Sequence, residues 1–344
     1  MYKKYLNRML VLFLLIFVLL NTMSYFVDPY GYKSRKEKFI KNLSMFNKPN
    51  VTNTKINSDG YFYLIGSSRV ARVDPNLIEK LTGKNTHNLK IDGATLSENA
   101  FIASKLKKHG KYFIYSFDAF SVNQTRENFN EIKNRSETYK VELNKNLWLR
   151  KYFNSDLLIR SLQHIIKSSR NEDLDKQYSE ENYRKSNFSY DLALNNSGVL
   201  NNLHKSNFSD YAPYSNHEIT KLAKLGTKND IFIIFPKYMA YYYLFANYQN
   251  IENKYFSSIK TLVENTDAQV WSFYGVNSIT KDKRNFIDNG WHFKPELSNI
   301  IFRDIFEPYT EGIEKIGFLI TKDNVNDYLL ALGEEVNSIV VEDI

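Results

Sequence analysis

The stretch YFYLIGSSRV, residues 61–70, decides how the rest of the chain is read. Tyr61 to Ile65 are apolar or aromatic without a break, the pattern of a strand buried on both faces. Gly66 interrupts the run, and Ser67, Ser68 and Arg69 follow at once. A glycine there lets the chain turn sharply, and a serine just after it can direct its hydroxyl outward with its own N–H alongside. By itself Gly-Ser is ordinary turn chemistry. Placed at the end of a buried strand, it reads as a serine hydroxyl presented at the strand's carboxyl edge.

Downstream the period changes from strand to helix and back. DPNLIEKLTG (74–83) opens on Asp-Pro and stops at Gly83, a helix with both end signals. THNLKIDG (86–93) is a short strand ending at Gly93. TLSENAFIASKLKKHG (95–110) is a helix in which Thr95 and Glu98 fit a capping box. KYFIYSFDAF (111–120) supplies a third strand. Residues 121–228 are rich in Asn, Ser, Lys and Tyr. They read as a helical and loop insertion on the ligand side, with one amphipathic helix around 154–169. The alternation resumes with strand DIFIIFP (230–236), helix NKYFSSIKTLVENT (253–266), strand AQVWSFYG (268–275) and helix KPELSNIIFRDIF (294–306). An extended segment and a last helix follow within 317–336. Strands alternating with helices predict an α/β fold: a mainly parallel sheet with helices on its faces, binding ligands beyond the carboxyl ends of the strands.

The amino terminus carries a different signal. MYKKYLNR precedes twelve unbroken apolar residues, 9–20, and the apolar character persists to Val27. No small-residue cleavage site follows, so the expectation is an uncleaved transmembrane anchor over 9–27 rather than a removed signal. Residues 1–8 then form a short cytoplasmic tail, 28–58 a basic juxtamembrane stalk, and 59–344 an α/β domain outside the membrane, periplasmic or extracellular. Lys3, Lys4 and Arg8 before the span are balanced by Lys33, Arg35, Lys36 and Lys38 after it. Orientation therefore rests on the shortness of the basic tail.

Composition narrows the chemistry. At 43% hydrophobic and 15% aromatic, 344 residues can build a sizeable core. The chain has no cysteine, which excludes disulfides, thiolate metal sites, a cysteine nucleophile and a lipoprotein anchor. No histidine spacing suggests a metal, and no cofactor is expected. The net charge of +8 suits an anionic partner, but the basic residues are dispersed and the anchor argues against nucleic acid.

Chemistry concentrates in two places. A serine becomes nucleophilic when a base takes its proton, and the base needs a group that holds its tautomer. FIDNGWHF (286–293) places Asp288 shortly before His292, just ahead of a helix. Ser68, His292 and Asp288 are the candidate nucleophile, base and orienting acid. Arg69 either binds an anionic group of a substrate or pairs with an acid on the rim. Tyr238, Tyr241, Tyr242 and Tyr243 either stack on sugar rings or pack inward.

The order LIGSSRV, NLKIDGAT, a strand ending YSFDAF, and a late acid-before-histidine motif resembles the SGNH/GDSL hydrolase superfamily. It is most similar to the membrane-anchored, envelope-facing branches that support D-alanylation of teichoic acids and O-acetylation of exopolysaccharides. The resemblance covers about 60–120 and 229–306. It implies a three-layer αβα domain with a flavodoxin-like sheet, a nucleophile at Ser68 rather than Ser67, and an oxyanion N–H from Gly93. The asparagine that the family places in its third block is replaced here by Asp118, with Asn123 nearby but off register. In the fourth block the residue three before His292 is Asn289, so the orienting group is Asp288 or Asn289. The implied activity is serine ester hydrolysis or O-acyl transfer on an envelope glycan, with a membrane-bound acyl donor protein as partner. The departures at Asp118 and Asn289 suit a rival expectation: a non-catalytic glycan-binding or assembly protein on the same scaffold.

Overall fold

The computed structural model describes residues 2–27, 62–91, 93–107, 112–128, 158–159, 161–162, 165–166, 208, 210–248, 250–287, 290–308 and 314–340. The chain divides into two compact units, 1–55 with 133–177, and 56–132 with 178–344.

In the first unit, helix α1 (Tyr2–Val27) is continuous over 26 residues. Successive residues turn by about 100°, so Met9–Leu19 cover every azimuth, and each of those side chains is 45–70% exposed. Among the described residues no helix is long and apolar enough to cross a membrane. The unbroken apolar run, 9–20, covers about 18 Å at ~1.5 Å per residue, against a hydrocarbon core about 30 Å thick. Only the mixed segment to Val27 brings the length close to that thickness. In the expected helix 154–169, the described residues 158–159, 161–162 and 165–166 are helical.

The second unit holds a six-stranded sheet. In chain order its elements are β1 (Phe62–Ile65), α2 (Pro75–Thr82), β2 (Thr86–Asn88), α3 (Leu96–Leu106), β3 (Tyr112–Ser116), α4 (Ala119–Val122) and α5 (Asn216–Ala223). Then come β4 (Ile231–Ile234), α6 (Ala240–Asn247), α7 (Ile251–Asn265), β5 (Gln269–Ser272), α8 (Ser278–Lys281), β6 (Phe286–Ile287) and β7 (His292–Phe293). The chain closes with α9 (Leu297–Phe306), β8 (Phe318–Ile320) and α10 (Val325–Asn337).

The sheet order is β2-β1-β3-β4-β5-β8. Strands β1 to β5 run parallel, in the flavodoxin-like order. Strand β8 is antiparallel to β5 and makes the sheet mixed. The order reverses after β2, so right-handed crossovers place α2 on one face and the helices that follow β2 on the other. The packing agrees: α2 lies against α9, while α3 packs on α5, α5 on α7, and α7 on α6 and α10. Helix α5 falls inside 121–228, the stretch read as an insertion, and supplies the crossover from β3 to β4.

Local chemistry explains the element ends. Asp74 caps α2 by accepting from the Asn76 N–H at 3.0 Å, and Gly83 closes it in the left-handed region. Thr95 and Glu98 form the capping box of α3. Strands β1, β3 and β4 are buried nearly throughout, which matches their unbroken apolar sequences. The stretch beyond β2 stays aligned with β1: Leu89 N–H donates to Leu64 O at 2.8 Å and Ile91 N–H to Gly66 O at 2.9 Å. The turn after β2 is thereby held beside the turn after β1, at the edge where Ser68 emerges.

Candidate active site

Gly66 closes β1 for a packing reason rather than a conformational one. A Cβ there would sit 2.5 Å from both Ser116 Cβ and Val70 Cγ2. The sharp turn expected from sequence is instead made by Ser67–Val73, where Val70 N–H donates to Ser67 O and a 3-10 turn spans Val70–Arg72. Ser67 points inward, its hydroxyl donating to Asp118 Oδ2 at 3.1 Å, and it is buried. Ser68 is half-buried, so of the two serines it is the more exposed.

The base comes from a separate hairpin. Strands β6 and β7 pair antiparallel, with Phe286 opposite Phe293 and Ile287 opposite His292. Lys294 N–H closes the hairpin onto Asn285 O at 2.8 Å, and Tyr238 N–H donates to Gly290 O at 3.1 Å. Gly290 has φ +89°, and a Cβ there would lie 2.7 Å from Tyr238 Cβ, so both conformation and space require glycine. The outcome is the central geometry of the site: Ser68 Oγ lies 2.6 Å from His292 Nε2, across 224 residues of sequence. With the ring proton on Nδ1, Nε2 accepts from the serine hydroxyl, the geometry a general base needs. Asp288 and Asn289, the two candidates for holding that tautomer, lie outside the described residues.

The expected oxyanion groups fare differently. Gly93 adopts φ +66° and its carbonyl accepts from Arg126 Nη2 at 2.8 Å. Arg126 also donates to Phe120 O at 3.2 Å and stacks 3.3 Å over the Phe120 ring, clamping the Gly93 turn to α4. Asn123 is wholly buried, and its Oδ1 accepts from Thr125 Oγ1 at 2.8 Å and Ala212 N–H at 3.2 Å. Its carbonyl oxygen thus ties the chain after α4 to the segment entering α5. Asp118 is a buried N-cap: Oδ1 accepts from Ser121 N–H at 2.9 Å, and Oδ2 from Ser116 Oγ and Ser67 Oγ at 3.1 Å each. With both oxygens accepting from these three donors, Asp118 serves as an acceptor and not as an oxyanion donor.

Arg69 contradicts both sequence expectations. It is 0% exposed and so meets neither substrate nor rim. Its Nη1 donates to Phe235 O at 3.1 Å and Pro236 O at 3.3 Å, and its Nη2 to Trp291 O at 2.7 Å. The guanidinium also lies 4.5 Å from the Trp291 ring centroid. Burial lowers its pKa, and Asp118 acts in the opposite direction. Tyr238, Tyr241 and Tyr242 pack inward and are not a sugar platform.

Sequence reading missed Lys237, which follows β4 and is 1% exposed. Its Nζ meets no hydrogen-bond acceptor among the described residues. Instead it lies 4.4 Å from the Phe245 ring centroid, 5.0 Å from Tyr274, 5.3 Å from Trp291 and 5.5 Å from Tyr255. Cation–π contacts contribute about 0.5–2 kcal/mol each, while taking an ammonium out of water costs several. Desolvation wins: it holds the Lys237 pKa well below the usual lysine value, Arg69 lowers it further, and Asp118 and Glu252 oppose. Glu252 on α7 is buried too, and burial pushes its carboxyl up to about 7 against the pull of Lys237.

A cavity of about 310 Å³ opens at the opposite, amino edge of the sheet, among Phe62, Lys84, Tyr112, Lys228 and Phe306. It has no paired nucleophile and base. No cluster of metal-ligating side chains occurs among the described residues. No family model matches the chain, and no curated protein matches it.

Proposed function

We propose that this chain is a serine ester hydrolase or O-acyltransferase of the SGNH-like type, held at a membrane by α1 and acting on O-acyl groups of a cell-envelope glycan. The observation that carries the proposal is the 2.6 Å approach of Ser68 Oγ to His292 Nε2 at the carboxyl edge of the parallel strands. Ligands of open α/β sheets bind at that edge.

In the reaction Ser68 Oγ attacks the ester carbonyl carbon while its proton moves to His292 Nε2. The tetrahedral oxyanion collapses, the C–O bond breaks, and the leaving alcohol takes the proton from Nε2. Water, or a glycan hydroxyl, then attacks the acyl-serine carbonyl and gives its proton to Nε2. Release of the acid or the new ester returns that proton to Ser68 Oγ. The resemblance assigns an oxyanion N–H to Gly93, whose turn Arg126 holds by its carbonyl. Asp288, or Asn289, is the proposed orienting group for the imidazole.

The anchor reading rests on the all-round exposure of Met9–Leu19, an apolar surface that water does not favour. It places the N-terminus in the cytoplasm and the α/β unit outside, within reach of a membrane-bound acyl donor. One observation favours the rival reading of a non-catalytic glycan-binding protein: Asp118 is an acceptor where the family carries a donor.

The test is ester turnover by the full chain in detergent, using acetyl and p-nitrophenyl esters. Ser68→Ala and His292→Ala are each expected to lower kcat by about 10³-fold or more. Wild-type turnover that survives both substitutions would remove the pair from the chemistry.

A further inference from the structure

We infer that Arg69 is a positioning residue that registers the His292 hairpin against the Ser68 turn, an assignment that rests on the catalytic reading of that pair. Three observations carry it. Arg69 is the residue next to Ser68 in the chain, and its Nη2 donates to the carbonyl of Trp291, the residue next to His292. Its Nη1 donates to Phe235 and Pro236, at the end of β4. Its guanidinium face lies over the Trp291 ring, inside the same hairpin. One rigid, planar group therefore joins three elements that the Ser68–His292 and Tyr238–Gly290 hydrogen bonds otherwise link only in pairs.

The chemistry of the group suits this task. A guanidinium presents several N–H donors in a fixed fork, so bonds to carbonyls on separate elements fix their relative placement. A lysine ammonium is a point charge on a flexible stem and fixes no such plane. Hydrogen bonds from a charged donor are about twice as strong as neutral ones, which offsets much of the cost of burying the cation. The Ser68–His292 bond is an arrangement of two loops, and a displacement near 1 Å costs on the order of 10²-fold in rate. Apart from the Ser68–His292 bond itself, the backbone ties of the hairpin, Tyr238 N–H to Gly290 O and Lys294 N–H to Asn285 O, do not reach the Ser68 turn. Arg69 does.

The experiment uses the full chain and three variants, Arg69→Lys, Arg69→Met and Arg69→Ala. The first readout is reaction of Ser68 with a fluorophosphonate over a range of probe concentrations, which separates probe binding from the labelling rate at saturation. Arg69→Met is expected to lower the saturating rate about 10–100-fold and to leave the half-saturating concentration within about 2-fold. Arg69→Lys recovers little of the loss, and ethylguanidinium added to Arg69→Ala recovers more than ethylammonium does. The second readout, independent of activity, is amide hydrogen exchange. In Arg69→Met, exchange rises in 286–293 and stays at the wild-type level in α7. A wild type whose Ser68 does not react sinks the catalytic reading, and exchange alone then decides the positioning inference. Saturating labelling at the wild-type rate, or exchange that rises equally in α7 and the hairpin, overturns it. So does a failure of both Lys and Met variants to fold, because Arg69 would then serve the core as a whole.

Discussion

At the amino edge of the sheet, Asp230 is wholly buried and fully engaged. It accepts from Phe113 N–H at 2.8 Å, Thr227 N–H at 2.8 Å, Thr227 Oγ1 at 2.9 Å and the Lys107 ammonium. At the carboxyl edge, Lys237 is just as buried, yet it faces aromatic rings and no acceptor among the described residues, with the half-neutralised Glu252 nearby. The same sheet thus holds one charge whose partners match it and another whose surroundings oppose it. Asp230 belongs to the frame, joining the β3 and β4 ends to α3. Lys237 lies 5.3 Å from the ring of Trp291, the neighbour of His292 in the chain, where local cost is tolerated beside the proposed chemistry.

Removing Asp230 should break this contrast most visibly. Asp230→Ala strips the part-buried Lys107 ammonium and three other donors of their acceptor, and at about 1–3 kcal/mol for each buried donor left unpaired it is expected to destabilise the fold by about 3–5 kcal/mol. Chemical denaturation reads this directly, and a loss below about 1 kcal/mol would erase the distinction between the edges.

Glu252 gives a smaller, pH-dependent effect. Its folded pKa of about 7 lies above the ordinary 4.5. Between those values the unfolded chain releases the proton first, so stability falls as pH rises from about 4.5 to 7 and levels off above. The shift corresponds to about 3 kcal/mol before solvent screening reduces it. Glu252→Gln should flatten that limb of the stability curve, and a wild-type curve with no decline across the window would contradict the burial argument.

Lys237→Met should change least. An apolar side chain of similar length fits the aromatic cage without an ammonium to desolvate, so the variant is expected to be about 1 kcal/mol more stable at neutral pH. Because the fold favours the neutral amine, wild-type stability rises with pH above the lowered Lys237 pKa towards 10.5, and this rise disappears in the variant. Clear destabilisation at neutral pH would show that the cage holds a charge it needs.

Much of the fold was legible because its signals are local. Asp74-Pro75 and Gly83, the Thr95 and Glu98 box, and the unbroken apolar strands each act within a few residues. The direction of β8 was not legible, since a three-residue apolar run is the same in a parallel and an antiparallel pairing. Gly66 stands out in the sequence as a turn residue, but its constraint is the approach of Ser116 from β3, a tertiary fact. The Ser68 and His292 pair could be read from motif order. The place of Arg69 could not, because its acceptors lie 166, 167 and 222 residues away. Lys237 left no signal either: its cage is assembled from α6, α7, the end of β5 and the His292 hairpin. Four rings, from Phe245 to Trp291, surround a lysine that, read alone, belongs on the surface.

The account turns on whether the Ser68 hydroxyl is activated by the His292 imidazole. The most direct measurement is mass-spectrometric mapping of a fluorophosphonate adduct on the full chain, wild type beside His292→Ala. The account predicts one adduct, on Ser68, with a labelling rate at least about 10²-fold lower when the imidazole is absent. An adduct on another serine, or equal labelling of Ser68 in both proteins, would contradict it.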